Sequence, residues 1–283
     1  MTDKDILSQL QYEDVIRDAV ERKLRKDQGV IQNIARTAYD GQELTFPLCR
    51  RKPLTRLAVV THLLGKAYQE YHAVGVPNEV IWDTFRDVSL RAALYHKRTG
   101  RVGLAEEDVI WFRHIMNVKI FKLGVMQFQP FEMLYLDEAS IGEDYMSFIP
   151  SKKEQLPNGS PVLNCHIQRH AMICPDAVEN SMETAKTFFK RYFPLVGYQA
   201  FLCYSWMLYP PMVEKLPNHS NIKQFAARFD IIGSCADSEQ AVENLFETGK
   251  RNLPLQLTSL QRLALEHKEC LGFGCGIRWL ESC

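Results

Sequence analysis

The sequence predicts an α+β protein, in which an N-terminal helical bundle packs on a mixed, mostly antiparallel sheet flanked by helices. Apolar residues recur at helical spacing over residues 1–118. After Phe121 the pattern changes to short runs rich in β-branched and aromatic residues, which favour strands. A late strand is predicted at Cys270–Trp279, after several further helices. We therefore predict a helical domain over residues 1–120 and an α/β domain over 121–283.

The N-terminal segment shows the spacing of amphipathic helices, first around Ile16–Leu24 and then around Ile31–Ala38. A longer helix is predicted from Pro53 to the break at Gly75-Val76-Pro77, since proline is tolerated in a first helical turn and glycine is common past a last one. Two more are predicted over about 78–97 and 105–120. These helices need a partner for their apolar faces, so we expect them to pack against the second domain.

Two adjacent strands are predicted at Val125–Gln129 and Phe131–Tyr135, with Pro130 at or near the turn or edge between them. Residues 151–161 are polar and rich in turn formers, which predicts a surface loop. The other predicted elements are a strand at Tyr145–Ile149, a strand at Val162–Ile167, a helix at Pro175–Tyr192, a strand at Tyr198–Tyr204, helices at 210–216 and 220–227, a strand at Phe229–Gly233, and helices at 238–248 and 256–268.

Composition excludes several classes of protein. Lys plus Arg (34) equals Asp plus Glu (34), so no overall field attracts nucleic acid. The N-terminus lacks a basic segment followed by an apolar run, and no stretch approaches the roughly 18 apolar residues of a membrane helix. The eight cysteines form no Cys-x-x-Cys pair and several lie in apolar strings, which predicts reduced, buried thiols. We expect a cytoplasmic protein with neither a nucleic-acid nor a membrane partner.

The predicted order is an antiparallel series of strands, then a strand, a loop and a long helix, then further strands with a late final one, and this order resembles the GNAT superfamily of acyl-CoA-dependent N-acyltransferases. Three strings of residues are more specific: Trp111-Phe112-Arg113 with Ile120–Phe128, then Phe201–Trp206 with Ser220-Asn221-Ile222, Phe225 and Arg228-Phe229, and finally His166-Ile167. These strings resemble one bacterial subfamily, which has a helical N-acyltransferase N-terminal domain and a GNAT-like C-terminal domain. The resemblance implies transfer of an acyl group from acetyl-CoA or another acyl-CoA to a small-molecule amine, with no metal.

The resemblance implies two catalytic residues. His166 stands where the subfamily has a histidine, and it is expected to take a proton from the amine. Tyr204 is expected to protonate the leaving thiolate. Each has a structural alternative: a histidine held by hydrogen bonds at a strand end, and a tyrosine that serves packing with one hydrogen bond.

Cofactor binding is predicted in the loop before the helix at Pro175, by Gln168, Arg169, His170 and Asp176. A helix N-terminus offers free N–H groups and partial positive charge to a phosphate, and an arginine adds a bidentate contact. The alternative is a solvated loop in which Asp176 only caps the helix. The superfamily's pyrophosphate loop carries glycines that this loop lacks. An alternative function is therefore a non-enzymatic binding protein that kept this fold and lost CoA chemistry.

A substrate cleft between the two domains is expected to include Trp111, Arg113, Gln127 and Trp206. The alternatives are packing between the domains for Trp111 and a solvent-facing strand position for Gln127.

Other motifs do not support a different chemistry. Ser205 lacks the flanking glycines of a hydrolase nucleophile elbow. An alternative function is a hydrolase or lyase that uses His166 with an acidic partner, but no sequence motif supports it. The glycines of Gly272–Gly276 lie too close to the C-terminus to open a dinucleotide-binding unit, so we predict a bulge or a close strand contact. His166 and His170 would converge on a metal only on a helix, and no metal is predicted.

Overall fold

The computed structural model describes residues 1–41, 44–246 and 256–280. The chain divides into two compact units, Met1–Lys122 and Leu123–Cys283. Within the described ranges, no helix combines the length and apolar character needed to cross a membrane.

The first unit is helical, as the sequence predicts. Tyr71 lies at its centre, fully buried, with its ring edge-on to Phe85 at 5.4 Å and its hydroxyl donating to the Ile120 carbonyl at 2.7 Å. The hydrogen bond satisfies the one polar atom of a ring that otherwise packs as an apolar group. The helices are α1 (Asp3–Gln9), α2 (Asp14–Lys26), α3 (Gln28–Thr37), α4 (Pro53–Ala73), α5 (Asn78–Thr99) and α6 (Glu106–Met116), with a short 3-10 turn at Pro47–Arg50.

The second unit is built on a seven-stranded sheet in the order β1-β2-β4-β5-β7-β6-β3. β4 pairs with β5 in parallel, whereas the pairs of β2 with β4, β5 with β7, β6 with β7 and β3 with β6 are antiparallel. The prediction of a mixed, mostly antiparallel sheet is confirmed. The strands are β1 (Phe121–Leu123, at the division between the units), β2 (Met126–Glu132), β3 (Ser147–Phe148), β4 (Pro161–Ile167), β5 (Ala200–Ser205), β6 (Asp230–Cys235) and β7 (Phe273–Trp279).

Helices flank this sheet. The longest, α9 (Pro175–Tyr192), buries an apolar stripe that includes Met182 and Phe189, and its Ser181 Oγ accepts the Val125 N–H at 2.9 Å. Gly124 beside it has φ 67°, and a Cβ there would stand 2.4 Å from Ser181 Oγ, so only glycine fits. The other helices are α7 (Glu138–Ile141), α8 (Pro150–Gln155), α10 (Pro210–Lys215), α11 (Asn221–Ala226), α12 (Glu239–Phe246) and α13 (Ser259–Glu266).

One predicted pair of strands is a single strand. β2 runs through Pro130, which lies opposite Leu163 of β4. The Met133 N–H donates to the Ser160 carbonyl of the chain leading into β4, so odd-numbered residues of β2 direct their backbone groups toward β4. Even-numbered residues direct theirs the other way, and the Pro130 nitrogen therefore faces away from β4. The neighbour on that side, β1, has only three residues, so proline occupies a sheet edge and leaves no ladder bond unmade.

Three further predictions are corrected. Residues 151–155 of the predicted 151–161 loop belong to α8, which begins at Pro150, a position where proline is favoured. The last strand begins at Phe273 because a 3-10 turn occupies Lys268–Cys270. Cys174 is exposed, whereas most of the other described cysteines are buried. The end of the predicted helix at 238–248 lies outside the described residues.

The C-terminal glycines were predicted to mark a bulge or a close strand contact, and Gly274 of β7 lies against the 3-10 turn Trp206–Leu208 that follows β5. A Cβ on Gly274 would stand 2.6 Å from the Leu208 carbonyl oxygen, so β7 carries glycine where a neighbouring backbone passes.

Candidate functional site

The ladder between the central parallel strands of the second unit ends before the strands themselves do. The pairing of β4 with β5 runs only as far as Asn164 and Leu202. Each strand continues for three more residues, β4 beside β2 and β5 beside β7. We call the space between Cys165–Ile167 and Cys203–Ser205 the β4–β5 opening.

Backbone groups face this opening. The Met133 N–H donates to the Ser160 carbonyl at 2.8 Å, and the Gln199 N–H donates to the Pro161 carbonyl at 2.9 Å. Even-numbered residues of β4 therefore direct their backbone groups toward β2, and odd-numbered residues direct theirs toward β5. By this alternation the N–H of Ile167 points into the β4–β5 opening.

Four polar side chains share one face of the sheet beside the opening. Gln127 of β2 lies opposite His166 of β4, and Gln129 lies opposite Asn164. Residues directly opposite in an antiparallel pair project from the same face. We call Gln127, Gln129, Asn164 and His166 the polar row. Polar side chains at four neighbouring positions of a central sheet are unusual, because buried positions are mostly taken by apolar residues.

The histidine of the polar row has a fixed ring position. Its Nε2 is 2.8 Å from Gln129 Oε1, a hydrogen bond across the diagonal of the strand pair. His166 is half-buried, whereas Gln129 is only 6% exposed. A nearly buried amide thus holds an imidazole that solvent or a ligand can still reach, which suits a group that must move a proton.

The other two members of the polar row carry buried polar atoms without a hydrogen-bond partner. These atoms are Gln127 Nε2 and Asn164 Oδ1. Gln127 is 1% exposed and Asn164 is 9% exposed. A buried unpaired donor or acceptor costs about 1–3 kcal/mol, so the row stores an unfavourable free energy.

Tyr204 lies on β5 across the opening from β4. Its hydroxyl donates to the Leu134 carbonyl at 2.6 Å, and its ring stacks on Phe273 at 6.2 Å. Burial raises the pKa of this phenol well above its ordinary value. One hydrogen bond and one ring contact are what we expect of a tyrosine that serves packing. The role of Tyr204 as a proton donor stays a prediction.

The loop before α9 forms a tight turn. The Ala171 N–H donates to the Gln168 carbonyl at 3.0 Å, and His170 has a positive φ of 67°. The left-handed position that favours glycine is thus occupied by His170. Arg169 donates from Nη2 to the Glu243 carbonyl at 3.3 Å, near the C-terminal end of α12. Asp176, in the first turn of α9, is exposed.

The first turn of α9 is held by a charged cluster. Glu179 accepts from Arg278 at 2.6 and 2.9 Å and from Arg228 at 3.3 Å. Arg228 also donates to the Pro175 carbonyl at 2.9 Å. Hydrogen bonds from Arg278 are the main reason that the pKa of Glu179 falls to about 2. The cluster ties α9 to β7 and to the turn that follows α11.

The residues predicted to line a cleft belong to both units. In the first unit, Trp111 Nε1 donates to Asp87 Oδ2 at 2.7 Å under the Arg91 guanidinium, and Arg113 is half-buried. In the second, Gln127 belongs to the polar row, and the backbone N–H of Trp206 donates to Gln240 Oε1 at 3.0 Å. A shared cleft stays a prediction.

Sequence reasoning missed two members of the polar row. Gln129 and Asn164 each stand two residues from a predicted site residue, Gln127 and His166, so strand alternation puts each pair on one face. The sequence alone carries that signal. It does not reveal that β2 and β4 pair in this register, because the register depends on the course of β2 through Pro130.

Comparison with known proteins gives matches over both halves of the chain. A family model described as the N-acyltransferase N-terminal domain matches residues 1–118, and one described as the GNAT-like C-terminal domain matches residues 120–274. No protein with a curated description matches.

Solved structures share the fold over 98% of this chain and 87% of their own. One is an acyltransferase in complex with decanoyl-CoA and teicoplanin, 20% identical with a TM-score of 0.73. A second is an acyltransferase in complex with decanoyl-CoA, 18% identical with a TM-score of 0.74. A third holds CoA and 10C-teicoplanin, at 20% identity and a TM-score of 0.73. Because the C-terminal model matches more than half of the 283 residues, the chain belongs to the family of proteins with a GNAT-like C-terminal domain, preceded here by an N-acyltransferase N-terminal domain.

Proposed function

We propose that this protein transfers an acyl group from the thioester of an acyl-CoA to the nitrogen of a small-molecule amine. The observation that carries the proposal is the β4–β5 opening, with a half-buried histidine beside it, in a chain of this family. The similar acyltransferases are in complex with decanoyl-CoA, CoA and teicoplanin, which supports an acyl-CoA donor and a small-molecule acceptor.

The β4–β5 opening suits the pantetheine arm of CoA. That arm is an extended chain with two amide groups, and an extended chain can add to a strand through main-chain hydrogen bonds. The Ile167 N–H points into the opening and would otherwise need another acceptor. We expect it to donate to the thioester carbonyl or to a pantetheine amide, so that the thioester lies beside His166.

The pyrophosphate would then lie at the N-terminus of α9, beyond the end of β4. Backbone N–H groups and the helix dipole favour an anion there. Gln168, Arg169 and His170 belong to the turn that precedes this helix start. Arg169 makes one bond to the Glu243 carbonyl and has further guanidinium N–H groups to offer. Asp176 opposes an anion, so we assign it to the helix start rather than to the phosphate.

The reaction needs little more than positioning and one proton acceptor. The amine lone pair forms a C–N bond to the thioester carbonyl carbon, and the carbonyl electrons move to oxygen, where a backbone N–H stabilises the charge. His166 takes the proton that the amine loses. Collapse of the tetrahedral intermediate breaks the C–S bond, and the thiolate leaves with a proton from Tyr204 or from solvent.

We also propose that the reaction takes place in the cytoplasm. The cysteines in the described part of the chain are free thiols, and a reducing compartment favours this state.

The test is the His166→Gln variant, which keeps a hydrogen-bonding end and removes the basicity. Thiol release from acyl-CoA in the presence of amine should fall about 10²–10⁴-fold, the usual contribution of a general base. KM should change little, because the proton moves in the transition state. Melting temperature on the same preparation separates this result from a structural role, since a destabilised but fully active variant would end the assignment.

A second candidate is a CoA-binding protein without transfer. The loop before α9 favours it, because it presents a strained histidine and an exposed Asp176 where the superfamily presents glycines. Tight binding of CoA in calorimetry, with no thiol release from acetyl-CoA or decanoyl-CoA for any amine tried, would support this candidate instead.

A further inference from the structure

The two unpartnered atoms of the polar row belong to two neighbours of His166 on the same face of the sheet. Gln127 stands directly opposite His166 on the neighbouring strand, where Cβ atoms are about 4.5–5.5 Å apart. Asn164 stands two residues before His166 on the same strand and face, a separation of about 7 Å. His166 therefore has two neighbours on its face of the sheet, one across the strand pair and one along its own strand, that carry an unpaired amide donor and an unpaired amide acceptor.

The pattern of satisfied and unsatisfied atoms within the polar row is selective. Gln129 has a hydrogen-bond partner in His166. Gln127 Nε2 and Asn164 Oδ1, which are just as deeply buried, have none. Native proteins pair nearly all buried polar groups, so such exceptions need a cause. A ligand that supplies both missing partners would be that cause, and it would lie against His166.

We propose that Gln127 and Asn164 bind the amine acceptor. The Asn164 carbonyl oxygen accepts an N–H of the attacking amine, and this turns its lone pair away from the strand. The Gln127 amide donates to a neutral oxygen that the acceptor carries beside its amine. This inference rests on the proposed function and names the class of acceptor: an amine with a neighbouring hydroxyl or carbonyl oxygen.

The chemistry of the row fits a neutral group better than a charged one. Both flanking side chains are amides, and a buried carboxylate or ammonium would need an opposite charge to offset its desolvation. A site built to hydrogen-bond an oxygen discriminates strongly against an analogue that lacks it, because its own polar group is then left unpaired.

The experiment uses the full chain and two matched amines, ethanolamine and propylamine, which differ by a hydroxyl in place of a methyl group. Acyl-CoA binding is first measured by calorimetry with decanoyl-CoA, and thiol release is then followed for each amine. We expect kcat/KM to be at least tenfold higher for ethanolamine. Gln127→Met should abolish that preference, and Asn164→Leu should lower kcat/KM at least tenfold for both amines. Neither variant should alter decanoyl-CoA affinity.

Thermal stability supplies an independent readout. Both substitutions remove a buried unpaired atom and keep nearly the shape of the side chain, so each variant should melt at the same temperature as the wild type or higher. Tyr39→Phe is the control, because Tyr39 Oη is also buried and unpartnered but lies in the first unit, outside the polar row. It should show the same thermal behaviour and unchanged kinetics.

The outcomes separate the two proposals. Equal use of both amines by the wild type, or a preference that survives Gln127→Met, would overturn the inference. A lower melting temperature in both variants would also overturn it, because the amides would then be satisfied in the free protein. Decanoyl-CoA binding without thiol release from either amine would exclude this class of acceptor and leave the CoA site standing. Absence of decanoyl-CoA binding would remove the proposed function itself.

Discussion

At the residue scale, the turn before α9 shows how this chain departs from a glycine-rich phosphate loop. His170 has a φ of 67° in a turn closed by the bond from Ala171 to Gln168. A left-handed residue with a Cβ costs roughly 1–2 kcal/mol relative to its preferred conformation. The turn is therefore kept at the expense of strain, in the segment that we expect to lie beside the pyrophosphate.

His170→Gly should relieve this strain. We expect a gain of up to about 1 kcal/mol in the free energy of unfolding, since the greater freedom of glycine in the unfolded chain offsets part of the relief. The matched control is Arg169→Gly, one residue earlier and without a positive φ, which should lose about 0.5–1 kcal/mol. Chemical denaturation measures both, and equal losses in the two variants would show that His170 carries no strain.

Tyr204→Phe tests the second predicted catalytic residue. The change removes the hydroxyl that donates to the Leu134 carbonyl. Loss of that bond should lower the free energy of unfolding by about 1–2 kcal/mol. Because the raised pKa makes this phenol a poor acid, we expect turnover of the folded protein to stay within about tenfold of the wild type. A loss of thiol release of 10²-fold or more would instead assign Tyr204 as the proton donor.

At the scale of elements, sequence patterns predicted helices better than strands. α4 and α9 begin at Pro53 and Pro175 as predicted, because proline in a first turn and a long apolar stripe act locally. β2 was divided wrongly at Pro130, since whether a proline can stand in a strand depends on which neighbour its nitrogen faces. A strand's interior is decided by its partners, which the sequence does not name.

The same limit applies to the candidate site. His166 was predicted through a family resemblance and the orphaned atom of Asn164 was not, although they stand on one strand two residues apart. Seeing Asn164 as part of a site requires the register of β4 against β2 and the point at which β4 leaves β5. The register and the end of the β4–β5 pairing each depend on two strands together, so neither can be deduced from the sequence of one strand.

The cluster around Glu179 makes a prediction about acid stability. The pKa of Glu179 is lowered to about 2, chiefly by Arg278. A carboxyl whose folded pKa is depressed contributes stability above its unfolded pKa and loses it as pH falls through the folded value. The contribution of Glu179 should therefore be present above pH 4.5, the ordinary pKa of the group, and disappear toward pH 2.

Glu179→Gln should lower the free energy of unfolding at pH 7 by on the order of 1 kcal/mol, after allowance for solvent screening of a partly exposed group. It should also flatten the fall in stability between pH 4.5 and pH 2. Glu183→Gln, on the same helix in an exposed pair with Lys186, is the control and should change little. Urea unfolding across this pH range gives both curves, and parallel curves for wild type and Glu179→Gln would contradict the assignment.

At the scale of the whole molecule, balanced charge and family membership together define what to expect of the ligand. The chain has a formal net charge of zero at pH 7. General attraction for polyanions is therefore weak, and stabilisation by a polyphosphate compound would report a specific site. Acyl-CoA should bind the folded state through the β4–β5 opening and the start of α9, neither of which exists in the unfolded chain.

Decanoyl-CoA should therefore raise the melting temperature of the full chain. At a concentration of 100 times Kd, binding to the native state adds about 2.7 kcal/mol to the free energy of unfolding. The His166→Gln variant should show the same shift, because that side chain is proposed to act on the amine and not to hold the donor. ATP at equal concentration is the charge-matched control and should give a smaller shift.

If ATP and decanoyl-CoA stabilise equally, the phosphates bind without the pantetheine arm, and the β4–β5 opening loses its assigned ligand. If decanoyl-CoA does not raise the melting temperature of the His166→Gln variant, the histidine helps to bind the acyl-CoA. That result would contradict its proposed role as the proton acceptor for the amine.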